Sequence, residues 1–201
     1  DRGRLVGTLA ESERRIYFEY DAAFLEDPLW LSPFKLPPEP GLHEHRDLAF
    51  GALFGLFDDS LPDGSSLLLV DRYFRRQGTL LDAVSPLDRL AYLGTRTMGA
   101  MTYHPPAETA DLDGSILDLH NMAREAYLVL EGKGEDVLPQ LLQAGGSPGG
   151  ARPKVLVGVQ DDHMVSGEDQ LPEGHRGWMV KFPAREDASD DGRIEYAYSE
   201  M

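Results

Sequence analysis

The residues with the clearest chemical potential are a glycine-rich run and a lysine that follows it. The run spans 145–154 and reads Gly-Gly-Ser-Pro-Gly-Gly-Ala-Arg-Pro-Lys, and Lys181 lies in the apolar segment 178–183. Glycines let backbone N–H groups approach a phosphate closely, and a lysine on a neighbouring strand supplies a fixed positive charge to phosphate oxygens. Glu195, in a segment predicted to be helical, can hold that lysine by an ion pair. The order of these residues predicts a site for nucleotide phosphates.

Simpler interpretations of the same residues stay open. Glycine and proline clusters most often mark only a turn, and a lysine among apolar residues can belong to an edge strand. The run is not a Walker sequence, because Ala151 follows Gly150 where lysine would stand, and it is not the G-x-G-x-x-G of a dinucleotide fold. Lys154 and Arg152 either neutralise phosphate or merely flank a strand. Together with Lys181 and Glu195, the run favours the nucleotide-binding half of a kinase.

Composition limits the classes of function. The 201 residues include 35 acidic and 19 basic side chains, giving a net charge of −16, which disfavours direct DNA binding because phosphate contacts need clustered lysine and arginine. The chain has no cysteine, so disulfides and thiolate metal sites are excluded. No apolar run of about 18 residues and no signal-peptide core is present, so we expect a cytoplasmic protein without a membrane segment.

Other constellations carry less weight. His43-Glu44-His45 suggests a metal, but two histidines in a polar loop without carboxylates at ligand spacing are more often solvated, so no metal site is predicted. The acidic residues at 58, 59 and 63 fail the EF-hand spacing. His104 and His120 have no nucleophile marked by sequence, so a hydrolase triad has no support.

Hydrophobic periodicity predicts the elements that must position the candidate site. Alternation predicts a β-hairpin with strands at 5–9 and 15–20, and four prolines predict an extended connector at 31–40. Helical spacing predicts helices at 48–57, 65–76, 86–93, 116–130 and 135–144. Short apolar segments predict a strand at 99–103, two strands after the glycine-rich run and a last helix containing Glu195.

Four motifs in order resemble the N-terminal part of a HipA-family serine/threonine kinase, the toxin of HipA–HipB toxin–antitoxin pairs. Residues 54–64, FGLFDDSLPDG, are similar to the family's F…LFDNLLPDG signature, and 88–100 resemble its LL…IG…VGA segment. Residues 147–154, SPGGARPK, resemble its ATP loop, and 178–183, WMVKFP, the strand bearing its ATP-site lysine, with Glu195-Tyr196 at the following helix. The resemblance covers nearly the whole chain.

The resemblance implies roles for individual residues. The backbone around Ser147, Gly149, Gly150 and Ala151 is expected to cover the phosphates of Mg-ATP, and Lys181 to contact phosphate oxygens. Lys154 is counted with these cofactor-binding residues, and Glu195 is expected to orient Lys181. Ser147 occupies the place of a serine that the family autophosphorylates, and a phosphate there would repel the nucleotide.

The prediction for the fold is an α+β protein. A mixed β and helical subdomain is expected at 1–104, a helical linker at 105–144, and the small nucleotide-binding sheet of a kinase at 145–201. The resemblance implies that the C-terminal helical lobe, with the catalytic aspartate and the metal-binding residues, is absent from this chain. The fragment alone is therefore expected to be inactive.

The function implied by the resemblance is transfer of the γ-phosphoryl group of Mg-ATP to a protein serine or threonine, with growth arrest or persistence as the outcome. Aminoacyl-tRNA synthetases are among the family's targets, and a HipB-like helix-turn-helix antitoxin is the implied partner and the only route to DNA. The alternative is a non-catalytic docking or regulatory module of a toxin–antitoxin complex, which would not need the glycine-rich run together with Lys181. A lipid or sugar kinase of related topology is a weaker third interpretation.

Overall fold

A computed structural model of the chain describes residues 3–47, 51–107, 119–133, 141, 150, 152–167, 171–183 and 187–201. Contacts divide the chain into two compact units, each built from two stretches of sequence. The first unit comprises Asp1–Leu61 and Asp82–Glu108, and the second comprises Pro62–Leu81 and Thr109–Met201. Both units combine helices with a three-stranded antiparallel sheet, which confirms the α+β class.

The first unit opens with the predicted β-hairpin. Strands β1 (Gly7–Ser12) and β2 (Arg15–Tyr20) pair from Gly7↔Tyr20 to Ser12↔Arg15, and β3 (Leu42–Glu44) joins the other edge of β2. The two turn residues, Glu13 and Arg14, both have positive φ angles, as a type I′ turn requires. Because the turn needs only these two residues, the strands extend into the polar segment that the sequence analysis treated as the connection.

Short helices complete this unit, and their apolar residues form its core. They are α1 (Ala22–Glu26), α2 (Gly55–Asp58) and α4 (Pro86–Leu93). Phe18 lies at the centre of the core, 4.9 Å from the Phe57 ring and 4.8 Å from the Tyr20 ring. The Tyr20 hydroxyl donates a 2.7 Å hydrogen bond to the Leu36 carbonyl, which ties the proline-rich connector to the sheet.

Two sequence predictions for this unit were wrong. The helix predicted at 48–57 begins only at Gly55, because Gly51 has a positive φ angle and the Leu53 N–H is bonded to the Asp58 carboxylate; residues 48–50 lie outside the described residues. No strand forms at 99–103. There the Tyr103 N–H donates to the Gly94 carbonyl at 2.9 Å, so a loop contact takes the place of a sheet ladder.

The second unit contains α3 (Gly64–Arg76), α5 (Leu119–Leu130), a sheet of order β5-β4-β6 and α6 (Asp191–Ser199). The strands are β4 (Lys154–Gln160), β5 (His163–Ser166) and β6 (Arg176–Lys181). The sequence analysis expected two strands here and missed β5, a four-residue strand that returns from the turn at Asp161-Asp162. The helix predicted at 116–130 is confirmed over Leu119–Leu130, and the one at 135–144 falls almost wholly outside the described residues.

The core of this unit joins one face of the sheet to α3 and α5. Val155 and Val157 of β4 are fully buried, and they belong to one apolar cluster with Leu69 of α3 and Met122 of α5. Burial of these apolar side chains is the main favourable term in the free energy that holds the elements together. Within the described ranges, no helix is both long enough and apolar enough to cross a membrane.

Candidate functional site

Two lysines lie opposite each other on neighbouring strands of the second unit. Lys154 begins β4 and Lys181 ends β6, and the two are direct partners in the antiparallel register. Direct partners in an antiparallel pair project their side chains from the same face of the sheet. The pairing continues beyond them, because the Phe182 N–H donates to the Pro153 carbonyl at 2.9 Å. Two ammonium groups are thus held on one face of a continuous ladder.

Lys181 forms an ion pair with Glu195, the partner that the sequence analysis expected for it. The Lys181 ammonium donates to Glu195 Oε1 across the gap between β6 and α6. The hydrogen bond from Lys181 holds the pKa of the Glu195 carboxyl below its ordinary value, and the charges of Lys181 and Arg152 lower it further. Lys181 keeps 42% of its side chain exposed, so the ion pair still faces solvent.

Arg152 extends this pair into a network. Its guanidinium donates a 2.7 Å hydrogen bond to the Asp187 carboxylate and lies 3.8 Å from Glu195 Oε2. Asp187 precedes α6 and Glu195 lies within it, so the network joins the end of the glycine-rich run to the last helix and to the segment before it. A fork of arginine donors facing carboxylates is a geometrically specific contact.

Lys154 is in a different environment, because only 8% of its surface is exposed to solvent. Burial lowers the pKa of the Lys154 ammonium, since a charged group loses hydration there. The charge of Lys181 lowers the pKa as well, and the carboxylate of Asp63 opposes both effects. Burial of the Lys154 ammonium therefore carries an electrostatic cost, which the Asp63 carboxylate offsets in part.

The end of the glycine-rich run is fixed by the start of α3. Gly150, at a φ angle of +100° that favours glycine, donates its N–H to the Asp63 carboxylate. The Gly150 carbonyl accepts from the backbone N–H and the hydroxyl of Ser65, both at 3.3 Å. The Ser65 hydroxyl also lies 3.2 Å from the Arg152 carbonyl. A segment more than 80 positions earlier in the sequence thus holds this end of the run.

The structure brings four of the predicted site residues into one region of the second unit: Gly150, Lys154, Lys181 and Glu195. The remaining three, Ser147, Gly149 and Ala151, lie outside the described residues. Sequence reasoning missed three further members, Asp63, Ser65 and Asp187. Asp63 lies in the FGLFDDSLPDG motif, but no local pattern links any of the three to this site, because their part in it depends on contact with residues distant in the chain.

The donors gathered here suit a polyphosphate. Three cations can donate to phosphate oxygens: the ammonium groups of Lys154 and Lys181 and the guanidinium of Arg152. The Lys154 ammonium lies close to Gly150, where an added Cβ would stand 3.0 Å from Nζ. A side chain at Gly150 would therefore crowd the Lys154 ammonium. Together, these residues could hold the phosphates of a nucleotide.

The two histidines that the sequence analysis considered as metal ligands, His43 and His45, lie close to backbone carbonyls. Nε2 of His43 lies 3.0 Å from the Glu39 carbonyl, and Nε2 of His45 lies 3.2 Å from the Gly51 carbonyl. In the part of the chain that the structure describes, no group of three or more histidine, aspartate or glutamate side chains is arranged to hold a metal ion.

Comparison with known families identifies the first half of the chain. The family model described as HipA N-terminal domain matches residues 2–104. No curated protein and no solved structure matches the chain. The matched range contains the FGLFDDSLPDG segment and with it Asp63. Because the match covers half of the sequence, the chain belongs to the HipA family of toxin–antitoxin proteins, and its first part is the HipA N-terminal domain.

Proposed function

We propose that this chain is the ATP-binding N-terminal portion of a HipA-like toxin kinase that phosphorylates a protein serine or threonine. The observation that carries the proposal is the ion pair between Lys181 of β6 and Glu195 of α6. In protein kinases, a lysine on a strand must pair with a glutamate on the following helix before the site can act on ATP. Here the same arrangement lies beside the end of a glycine-rich run.

Each residue of the site has its own proposed role in binding the phosphates. Lys181 and Lys154 hold phosphate oxygens, Glu195 keeps Lys181 in place, and the run at 145–154 covers the phosphates with backbone N–H groups. Mg-ATP supplies the phosphoryl group to be transferred.

Membership of the family supports a proposal for the regulation and the partner of this chain. Ser147 is the proposed site of autophosphorylation, because a phosphate carrying nearly two negative charges would repel ATP from its own loop. The partner is a HipB-like antitoxin that supplies the contact with DNA, which suits a chain with a net charge of −16. The substrate is a cytoplasmic protein, with an aminoacyl-tRNA synthetase as the first candidate to test.

The test is titration calorimetry of Mg-ATP into the 201-residue chain and two matched variants. Lys181→Ala removes the phosphate-binding ammonium. Lys133→Ala removes an exposed lysine of the same unit that is likewise paired with a glutamate, Glu131, at 3.0 Å. We expect Mg-ATP to bind the wild type and Lys133→Ala equally and to lose at least tenfold in affinity for Lys181→Ala.

Two results would contradict the proposal. Equal affinity for all three proteins would place the nucleotide away from Lys181. Failure of the wild type itself to bind Mg-ATP would favour the docking module over the nucleotide-binding portion.

A further inference from the structure

Asp63 has an unusual role for a residue at the start of a helix. It is the N-cap residue of α3, the position from which an aspartate carboxylate ordinarily accepts a hydrogen bond from the first turn of its own helix. In this first turn, which the structure describes in full, no such bond is made. The carboxylate instead accepts the N–H of Gly150.

The contact between these two segments is reciprocal. While Asp63 accepts from Gly150, Ser65 donates to the Gly150 carbonyl through both its backbone N–H and its hydroxyl at 3.3 Å. Gly150 is thereby bonded through both its N–H and its carbonyl, which belong to the two peptide groups on either side of its Cα. Bonds in both directions fix the orientation of a backbone segment more closely than a single bond would.

Charged side chains also lie close to Gly150. The Gly150 position leaves 3.0 Å between an added Cβ and Lys154 Nζ, so the Lys154 ammonium reaches the residue that Asp63 binds. Lys154 interacts with the charge of Asp63 at the start of α3 and with that of Lys181 on the neighbouring strand. Lys181 is itself paired with Glu195 of α6. Asp63 is the carboxylate among these groups that favours the charged form of Lys154.

We infer that Asp63 is a positioning residue of the nucleotide site: it holds the Gly150 end of the glycine-rich run in place and sets a carboxylate near the Lys154 ammonium. In its bearing on ATP, this inference rests on the proposed function. Because Asp63 belongs to the range matched by the HipA N-terminal domain, that domain contributes a residue to the site carried by the rest of the chain.

Two substitutions separate the two parts of the role. Asp63→Asn keeps an oxygen that can accept the Gly150 N–H and removes the charge, whereas Asp63→Ala removes both. Asp59→Asn is the matched control, because Asp59 is an exposed aspartate nearby in the sequence whose loss changes the net charge equally. Ser65→Ala removes the hydroxyl donor to the Gly150 carbonyl while the backbone donor stays, and it serves as the second variant if Asp63→Ala fails to fold.

The first two readouts need no nucleotide. Hydrogen exchange by NMR follows the Gly150 amide, and a pH titration of 15N-lysine-labelled protein follows the Lys154 ammonium. We expect Asp63→Ala to speed Gly150 exchange about tenfold or more, Asp63→Asn to speed it less, and both to lower the pH at which Lys154 loses its proton. Asp59→Asn should match the wild type in both.

The third readout is Mg-ATP affinity, which should fall about tenfold in Asp63→Asn and Asp63→Ala and stay unchanged in Asp59→Asn. The inference is overturned if both Asp63 variants leave Gly150 exchange and the Lys154 titration unaltered. It is also overturned if they alter both readouts while ATP affinity stays within twofold of a wild type that binds. A wild type that does not bind ATP, with altered exchange and titration in the variants, would defeat the proposed function and leave the positioning role of Asp63 supported.

Discussion

The Lys181 ammonium and the Glu195 carboxylate are joined across β6 and α6. None of the residues of α6 is buried. A nine-residue helix without a buried face gains little from packing, which is the usual source of helix stability in proteins. The polar contacts made by Lys181 and Arg152 therefore matter for keeping this helix against the sheet.

The first prediction concerns the titration of Glu195. Because Lys181 lowers the pKa of Glu195 in the folded protein, Lys181→Ala should move that pKa up toward the ordinary glutamate value of about 4.3. The pair stabilises the fold above this value, and its contribution is lost as the pH falls through the lower pKa of the folded state. An NMR titration of the Glu195 carboxyl carbon in both proteins measures the difference.

The control for this titration is Lys133→Ala, which should leave the Glu195 midpoint where the wild type has it. An unchanged midpoint in Lys181→Ala would mean that the ion pair does not persist in solution.

The second prediction is that Gly150→Ala destabilises the protein. Alanine at a φ angle of +100° is strained, and its Cβ would stand 3.0 Å from Lys154 Nζ. We expect a loss of about 1–3 kcal/mol in the free energy of unfolding, measured in urea. Gly192→Ala, at an open position inside α6, should instead stabilise by about 0.5–1 kcal/mol. Equal effects of the two substitutions would contradict the conformation assigned to Gly150.

The third prediction compares two phenylalanines of the first unit. Phe57 is almost fully buried against Phe18, whereas Phe34 is 92% exposed. Phe57→Ala should lower the free energy of unfolding by about 3–5 kcal/mol, because it leaves a cavity as well as removing apolar burial. Phe34→Ala should change it by less than about 0.5 kcal/mol. Thermal unfolding followed by circular dichroism distinguishes the two, and a large effect at Phe34 would show that this side chain is covered in solution.

Local patterns predicted the elements whose partners are close in sequence. The β-hairpin follows from alternation over two short strands, and the ion pair of Lys181 with Glu195 follows from a strand and helix only 14 positions apart. Helix α3 was also predicted, since its apolar residues recur at helical spacing. The strand expected at 99–103 was not formed, because Tyr103 bonds to Gly94 and turn geometry prevailed over the apolar pattern.

What could not be predicted depends on contacts between distant segments. Leu69 of α3 packs with Met122 and Val155, so this helix belongs to the second unit although it lies early in the sequence. Asp63 and Gly150 are separated by 87 positions, and the sequence near Asp63 suggests only a turn and a helix start. An N-cap carboxylate that serves another segment has the same local signature as one that serves its own helix.

The fourth prediction is that Lys154→Met stabilises the nucleotide-free protein while removing its affinity for ATP. Methionine keeps the unbranched apolar stem and removes a charge whose burial disfavours it, as the lowered pKa of Lys154 indicates. A gain of about 0.5–2 kcal/mol in the free energy of unfolding is expected, which is the usual range for a single stabilising substitution. Urea unfolding at neutral pH measures the gain.

The pH dependence of that gain identifies its cause. Because the folded protein binds the Lys154 proton more weakly than the unfolded chain, unfolding takes up a proton between the two pKa values, and raising the pH through this window stabilises the wild type. Lys154→Met lacks this term, so its advantage should shrink as the pH approaches the ordinary lysine value of about 10.4. Lys133→Met should behave in the opposite sense, since the hydrogen bond to Glu131 raises the pKa of Lys133 and the wild type loses that contribution at high pH. A gain in Lys154→Met that stays constant with pH would trace the stabilisation to better packing and not to the buried charge.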